Sequence, residues 1–359
     1  MLKWLLLCGF LCLASGNLFP LRVKRHLPRI KGDSPHYHHD PNDIDVLTMV
    51  YIVGTDDTPL PFLPDTTSAD IELTLCTSLN YPDNCYDYME SDDFVQIDEH
   101  TASDRFIDTN DMEQIWTFIT RKPVTPAPGS IGFGFPALQK YPHDTYWPDA
   151  YVNNSLETKT LTISVSQKGC AGEAYFGKNK ICYNGNFHDN YTFYLPTTSK
   201  LYWQFAMDSV QIGKVKTTTG GHAVIATNKE YIGMPKKFLQ QFAQAYSIQW
   251  DGLYGAYTVE CKRNLTLPDL QISVAGGNTI KIKATEYVYT WETLPNGMCV
   301  LNFEDSKAFG FGPEWYFGIQ LLQSYCITLD FDKKQMSFTK NFWTVNQHYD
   351  PCPHDLMIL

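Results

Sequence analysis

Along most of the chain, apolar residues come in short runs that stop at clusters of Gly, Pro, Asn and Asp. The clearest runs are IDVLTMVYIVG at 44–54, IELTL at 71–75, QIWTFIT at 114–120, LTISVS at 161–166, YWQFAMDSVQIG at 202–213, YCITLDF at 325–331 and QMSFT at 335–339. β-Branched and aromatic residues dominate them, which predicts strands. Helical spacing is scarce. The best case is KKFLQQFAQAY at 236–246, where Phe238, Phe242 and Tyr246 share one face just after Pro235. The pattern predicts an all-β protein, mainly β with a few short helices. A chain of 359 residues built this way folds most readily as two barrels or sandwiches. RKPVTPAPGS at 121–130 reads as an exposed connector within the first half, not as a linker between domains.

One local pattern occurs twice. At 61–68 an apolar run leads into Asp65-Thr66-Thr67-Ser68, and at 222–229 another leads into Ala226-Thr227-Asn228-Lys229. Ala226 lies 161 positions after Asp65. The echo implies a duplicated unit whose two turns meet across a cleft. Two facing carboxylates about 3 Å apart share one proton, so one activates a water while the other donates to a substrate carbonyl. Each needs a tight turn, and a glycine after the Asp-Thr lets the two chains approach. Here only Asp65 could serve; the methyl of Ala226 binds neither proton nor water. No glycine-rich phosphate loop, GxSxG elbow or HExxH helix offers another chemistry. Tyr202 and Trp203 read as core, and Asp208 as a strand-end residue.

The two ends of the charge distribution and the cysteines bear on compartment. Residues 1–16 read as a signal peptide: Lys3, then WLLLCGFLCLA at 4–14, closing on Ala14 and Gly16, with an apolar run too short to span a bilayer. The expected location is extracellular, or the endomembrane and lysosomal lumen. Eight cysteines follow, with no CxxC or zinc-ligand spacing, which points to disulfides. Sequons at Asn153, Asn190 and Asn264 are glycosylation candidates. The net charge of −11 is concentrated between 83 and 113, where eleven acidic residues face one arginine, Arg105. Such a stretch repels nucleic acid and reads as solvated loops. LRVKRHLPRIKG at 21–32 is basic, either a short pro-segment against an acidic surface or a solvated tail. His36, His38 and His39 lack a frame to hold a metal; no metal and no cofactor are expected.

Over most of 44–340 the chain resembles the pepsin-like aspartic proteases. GTDDTPLPFLPDTTS at 54–68 is similar to that family's first catalytic segment, with Asp65 eleven positions after Gly54. GSIGFGFP at 129–136 looks like the strand that follows the flap region, and YWQFAMDSVQIG like the strand entering the second lobe. GGHAVIATNKEYIGMP at 220–235 is similar to the second catalytic segment, and WYFGIQLLQSYCITLDFDKKQMSF at 315–338 to the WILGD-type corner and final strands. The resemblance implies a bilobal pepsin-like double β-barrel with a central cleft: signal 1–16, a basic His-containing segment 17–43, lobes at 44–200 and 201–342, and a tail at 343–359. It also implies the pairs Cys76–Cys85 and Cys261–Cys299. Cys170–Cys182 is then read as closing a hairpin and Cys326–Cys352 as pinning the tail, with exchange among those four left open.

The departures fall on the chemistry. Thr67 stands where the first glycine belongs, and Ala226, Asn228, Lys229 and Glu230 stand where Asp, Gly, Thr and Ser belong. Ile319 replaces the aspartate of the WILGD-type corner. The stretch 94–112 is short for a flap and has no tyrosine flanked by glycines. The expectation is a secreted, catalytically inactive aspartic protease-like monomer that binds a peptide or protein through its cleft or lobe surfaces. Asp65 is then a remnant and Ala226 marks the missing partner, with Thr66, Thr67, Ser68 and Thr227 framing the turns. One alternative is an aspartic-type endopeptidase of weak or altered mechanism; Glu230, displaced by four residues, is a poor second carboxylate. The other is a structural or storage extracellular glycoprotein. Neither nucleic acid nor membrane insertion is expected.

Overall fold

The structure is a computed structural model that describes residues 17–22, 49–55, 58–76, 85–107, 113–121, 129–141, 158–165, 171–177, 182, 192–217, 219–229, 231–290, 293–294, 296–307 and 313–341. Strands dominate it, as the hydrophobic pattern requires, and the chain is all-β with a few short helices.

The first lobe is one sheet of seven strands, in the order Met49–Val53, Thr58–Asp65, Gly129–Gly132, Ile71–Thr74, Glu113–Arg121, Thr101–Ile107, Val95–Gln96. Met49–Val53 also pairs with Thr101–Ile107, so the sheet rolls into a barrel. Its interior is aromatic: Tyr51 and Trp116 lie 5.4 Å apart and Phe106 and Trp116 4.9 Å apart, centroid to centroid. One part of the acid-rich stretch, Thr101–Ile107, forms barrel wall, while most of its described acids stay exposed as expected of solvated loops. Asp104 shows why this is tolerated: it is fully buried, and its carboxylate accepts hydrogen bonds from the Tyr86 hydroxyl, from Ser91 Oγ at 2.9 Å and from the Arg105 amide at 2.7 Å. Neighbouring acids such as Asp92, Asp93 and Glu99 remain exposed.

The second lobe holds a five-stranded sheet, in the order Gln204–Met207, Gly221–Ile225, Trp315–Phe317, Ile232–Met234, Phe303–Asp305, and two four-stranded sheets. The run 202–213 is not one strand. Gln204–Met207 pairs with Gly221–Ile225 and Ser209–Ile212 with Leu270–Val274, because the chain changes partner at the exposed Asp208. The helix foreseen after Pro235 spans Lys236–Ala245 and buries Phe238, Leu239, Phe242 and Ala243; Tyr246 caps it and packs 5.2 Å from Phe242.

A six-stranded sheet joins strands from distant parts of the chain, in the order Asn17–Arg22, Ala171–Phe176, Thr160–Val165, Tyr325–Asp330, Gln335–Lys340, Thr192–Pro196. Trp203 ties it to the first lobe. This fully buried indole donates from Nε1 to the Phe133 carbonyl at 2.6 Å and packs on Phe135 and Phe331.

Disulfides join Cys76 to Cys85 and Cys261 to Cys299. A further bond among the described residues is Cys182–Cys326, which replaces both the Cys170–Cys182 and the Cys326–Cys352 readings and falls within the exchange left open among those four. Cys326 belongs to a strand held centrally in the six-stranded sheet, and the fold brings its Cα to 5.9 Å from that of Cys182. Cys170, Cys352, the connector at 122–128, the triplet His36, His38 and His39, and the sequons Asn153 and Asn190 lie outside the described residues. Asn264 sits half-buried in the 3-10 turn Cys261–Leu265. Among the described residues no helix is long and apolar enough to cross a membrane, and no cluster of three His, Cys, Asp or Glu is placed to hold a metal.

Candidate active site

The two echoed segments form equivalent turns. Thr58–Asp65 runs parallel to Gly129–Gly132 with Asp65 opposite Gly132. In the second lobe Gly221–Ile225 runs parallel to Trp315–Phe317, with Ile225 opposite Phe317, and the Ala226 amide continues the ladder to the Phe317 carbonyl at 2.9 Å. Each turn leans on a glycine of the paired segment. A Cβ on Gly132 would lie 2.6 Å from the Asp70 amide nitrogen, and one on Gly318 would lie 1.9 Å from the Lys229 carbonyl oxygen.

The threonines after Asp65 and Ala226 lock the turns together by a near-symmetric exchange. The Thr66 amide donates to Thr227 Oγ1 and the Thr227 amide to Thr66 Oγ1, both at 3.1 Å. Each hydroxyl then donates onward into the opposite lobe, Thr66 to the Ile225 carbonyl at 2.6 Å and Thr227 to the Pro64 carbonyl. Both side chains are fully buried, so every donor and acceptor here must find its partner inside the protein. Asp65 and Ala226, one residue earlier on each turn, thus occupy corresponding places on the two sides of the junction.

The Asp65 carboxylate is held by its own turn. Its Oδ1 accepts from the Thr67 amide at 2.7 Å and from Thr67 Oγ1 at 2.6 Å. The Thr67 hydroxyl, having given its one proton to Asp65, can only accept, and Asn228 Nδ2 donates to it at 3.1 Å. A side-chain relay therefore runs from Asn228 through Thr67 to Asp65. The Asn228 Oδ1 is buried with no hydrogen-bond partner. Ser68 closes the turn, its Oγ accepting from the Asp70 amide at 3.2 Å and its carbonyl accepting from Gly134 at 2.6 Å.

Charge around the site is mixed. Burial raises the Asp65 pKa above 3.8, the two Thr67 hydrogen bonds oppose that rise, Glu72 reinforces it and Lys229 opposes it. Glu72 was not singled out in the sequence. Its strand pairs Glu72 with Ser130, two positions before the glycine opposite Asp65, so both carboxylates lie on one face of the sheet, and Lys140 pairs with Glu72. The exposed Lys229 reaches back over the Tyr316 ring, 5.8 Å from its centroid. Ala226 is buried and brings no titratable group. Ile319 is buried at the corner, and its amide donates to the Lys229 carbonyl at 3.4 Å. Glu230 lies outside the described residues. Within the described part of the stretch 94–112, Val95–Gln96 makes a hairpin of two rungs with the next strand, Val95↔Ser103 and Gln96↔Ala102, turned at Ile97–His100, and Thr101–Ile107 goes on to pair along its length with Glu113–Arg121.

The family model for eukaryotic aspartyl proteases matches residues 59–341, more than half of the chain. The chain belongs to the eukaryotic aspartyl protease family. Similar family members include aspartic protease 17 of Caenorhabditis elegans, 28% identical over 224 residues that make up 60% of this chain and 54% of that protein. Aspartic protease 1 of the same organism is 30% identical over 145 residues, 40% of this chain and 36% of that protein. Embryonic pepsinogen of Gallus gallus is 25% identical over 218 residues, 59% of this chain and 52% of that protein. The matched part thus spans about half, or less, of the length of these relatives. Within this aspartyl protease fold, a pepsin-like bilobal architecture, the threonine exchange joins the lobes beside Asp65. One carboxyl, a hydroxyl and an amide converge there.

Proposed function

We propose that this aspartyl protease-family chain is a catalytically silent binding protein of the secretory route, taking a peptide or protein segment in the cleft that Asp65 lines. The observation that carries the reading is the pairing of Asp65 with Ala226 across the threonine lock. A dyad needs two carboxyls sharing a proton, and the second turn supplies a methyl group. Thr67 and Asn228 support it further, since they fill with hydrogen-bonded side chains the two positions where glycines would leave room. The apolar leader and the disulfides support passage through an oxidising compartment.

The test is cleavage of acid-denatured haemoglobin between about pH 3 and 5, the range that a shared-proton carboxyl pair commands. No cleavage is expected. Turnover that pepstatin abolishes would overturn the proposal in favour of an altered mechanism using Asp65.

A further inference from the structure

The chain carries a net charge of −11, yet one pocket away from Asp65 gathers three lysines. It has a volume of about 550 Å³ and lies where the second lobe meets the six-stranded sheet. Lys281 and Lys283 come from the second lobe, at the end of the strand Asn278–Ile282 and just after it; Lys340 ends the strand Gln335–Lys340. All three are exposed at the rim. Asp269 pairs with Lys281 at 2.7 Å, whereas Lys283 has no ion pair among the described residues.

The wall is not a bare basic surface. Glu286 lines it, more than nine-tenths buried. Both of its recorded hydrogen bonds fall on Oε2, from the Lys283 amide at 2.9 Å and from the Ser324 hydroxyl, which leaves Oε1 as an acceptor. Burial raises the pKa of this carboxyl. Asn278 spends its amide nitrogen on the Ala275 carbonyl at 3.1 Å, leaving its oxygen for another donor. The half-buried Phe193 adds an aromatic wall and is itself fixed by stacking on Phe338 at 5.2 Å. Cations for one anionic group, acceptors for hydroxyls and an aromatic face for a ring of C–H bonds make a mixed set. The volume suits a small organic molecule.

We propose that this pocket binds a small anionic sugar, a hexose bearing one phosphate or sulfate ester. Lys283 and Lys340 hold the ester, and Glu286 accepts from a sugar hydroxyl beside Phe193. The site is independent of the Asp65 cleft and needs no proteolytic chemistry.

Calorimetric titration of the full chain tests it with four probes: glucose 6-phosphate, glucose 6-sulfate, glucose and inorganic phosphate. Both anionic sugars, or one of them if the pocket distinguishes the two esters, are expected to bind about tenfold or more tightly than glucose or inorganic phosphate. Lys283→Glu should weaken that binding about tenfold or more. Glu286→Gln should weaken the sugar ester more than inorganic phosphate. Equal affinity for inorganic phosphate would overturn the sugar assignment. Undiminished binding by Lys283→Glu would overturn the location, and no heat from either sugar ester at about 10 mM would overturn the site.

Discussion

At Asp65, burial penalises the carboxylate more than the two Thr67 hydrogen bonds favour it, so its pKa in the folded chain lies above 3.8. The stability this group contributes is therefore present below the unfolded value and is lost as pH rises through the folded one. Asp65→Asn should raise the melting temperature at pH 7, with the advantage shrinking toward pH 3.8 and below; scanning calorimetry across that range checks it. The threonine lock behaves differently. Thr66→Val or Thr227→Val should each cost about 1–3 kcal/mol in urea unfolding, because each strands buried donors and acceptors on the other turn. The double variant should cost less than the sum of the two. Asp65 and Ala226 were legible in the sequence because both follow apolar runs and precede Thr. The Asn228–Thr67–Asp65 relay was not, since it joins side chains 161 positions apart and each substitution, read locally, is only a glycine lost.

Among the elements, periodicity located strands and the helix Lys236–Ala245 well, because each buries an apolar face that the sequence spells out. It failed where neighbours decide. The run 202–213 looks continuous, but its two halves serve different sheets, and a change of partner at Asp208 leaves no mark on hydrophobic spacing. Cysteine pairing held for Cys76–Cys85 and Cys261–Cys299 but not for the reading Cys170–Cys182 with Cys326–Cys352, for the same reason. Cys182 is twelve positions from Cys170 but bonds to Cys326, at a sequence separation of 144, because sheet order and not sequence distance sets which cysteines meet. Non-reducing peptide mapping should recover that cross-linked peptide, and Cys326→Ser should cost about 4–5 kcal/mol, the scale for closing so long a loop. Gly318→Ala should also destabilise, by about 1–3 kcal/mol or more on thermal melting, since its β-carbon would run into the Lys229 carbonyl.

For the whole molecule, a carboxyl dyad is a joint property of two lobes, so on the proposed reading a gain of cleavage calls for changing both turns at once. Ala226→Asp with Thr67→Gly leaves the Asn228 side chain between the turns, reaching toward the place Thr67 vacates. Cleavage of acid-denatured protein is therefore expected from the triple variant Ala226→Asp, Thr67→Gly, Asn228→Gly, and not from the double. A pepstatin-sensitive signal in the triple alone would show that the architecture survives and the chemistry was dismantled in both halves.

The six-stranded sheet has a consequence for how the chain is made. Thr160–Val165 sits between Ala171–Phe176, which follows within a few residues, and Tyr325–Asp330, which is made about 160 residues later (325 minus 165). At about 5–20 residues per second, that edge waits on the order of ten seconds or more with its ladder groups unpaired. Apolar Leu161 and Ile163 wait with it, as does the cysteine at 182 for its partner on the late strand. A chain stopped short of residue 340 would keep an adhesive edge that no later strand covers. Nascent forms of this protein should therefore depend on chaperones and on catalysed thiol exchange out of proportion to the stability of the finished fold.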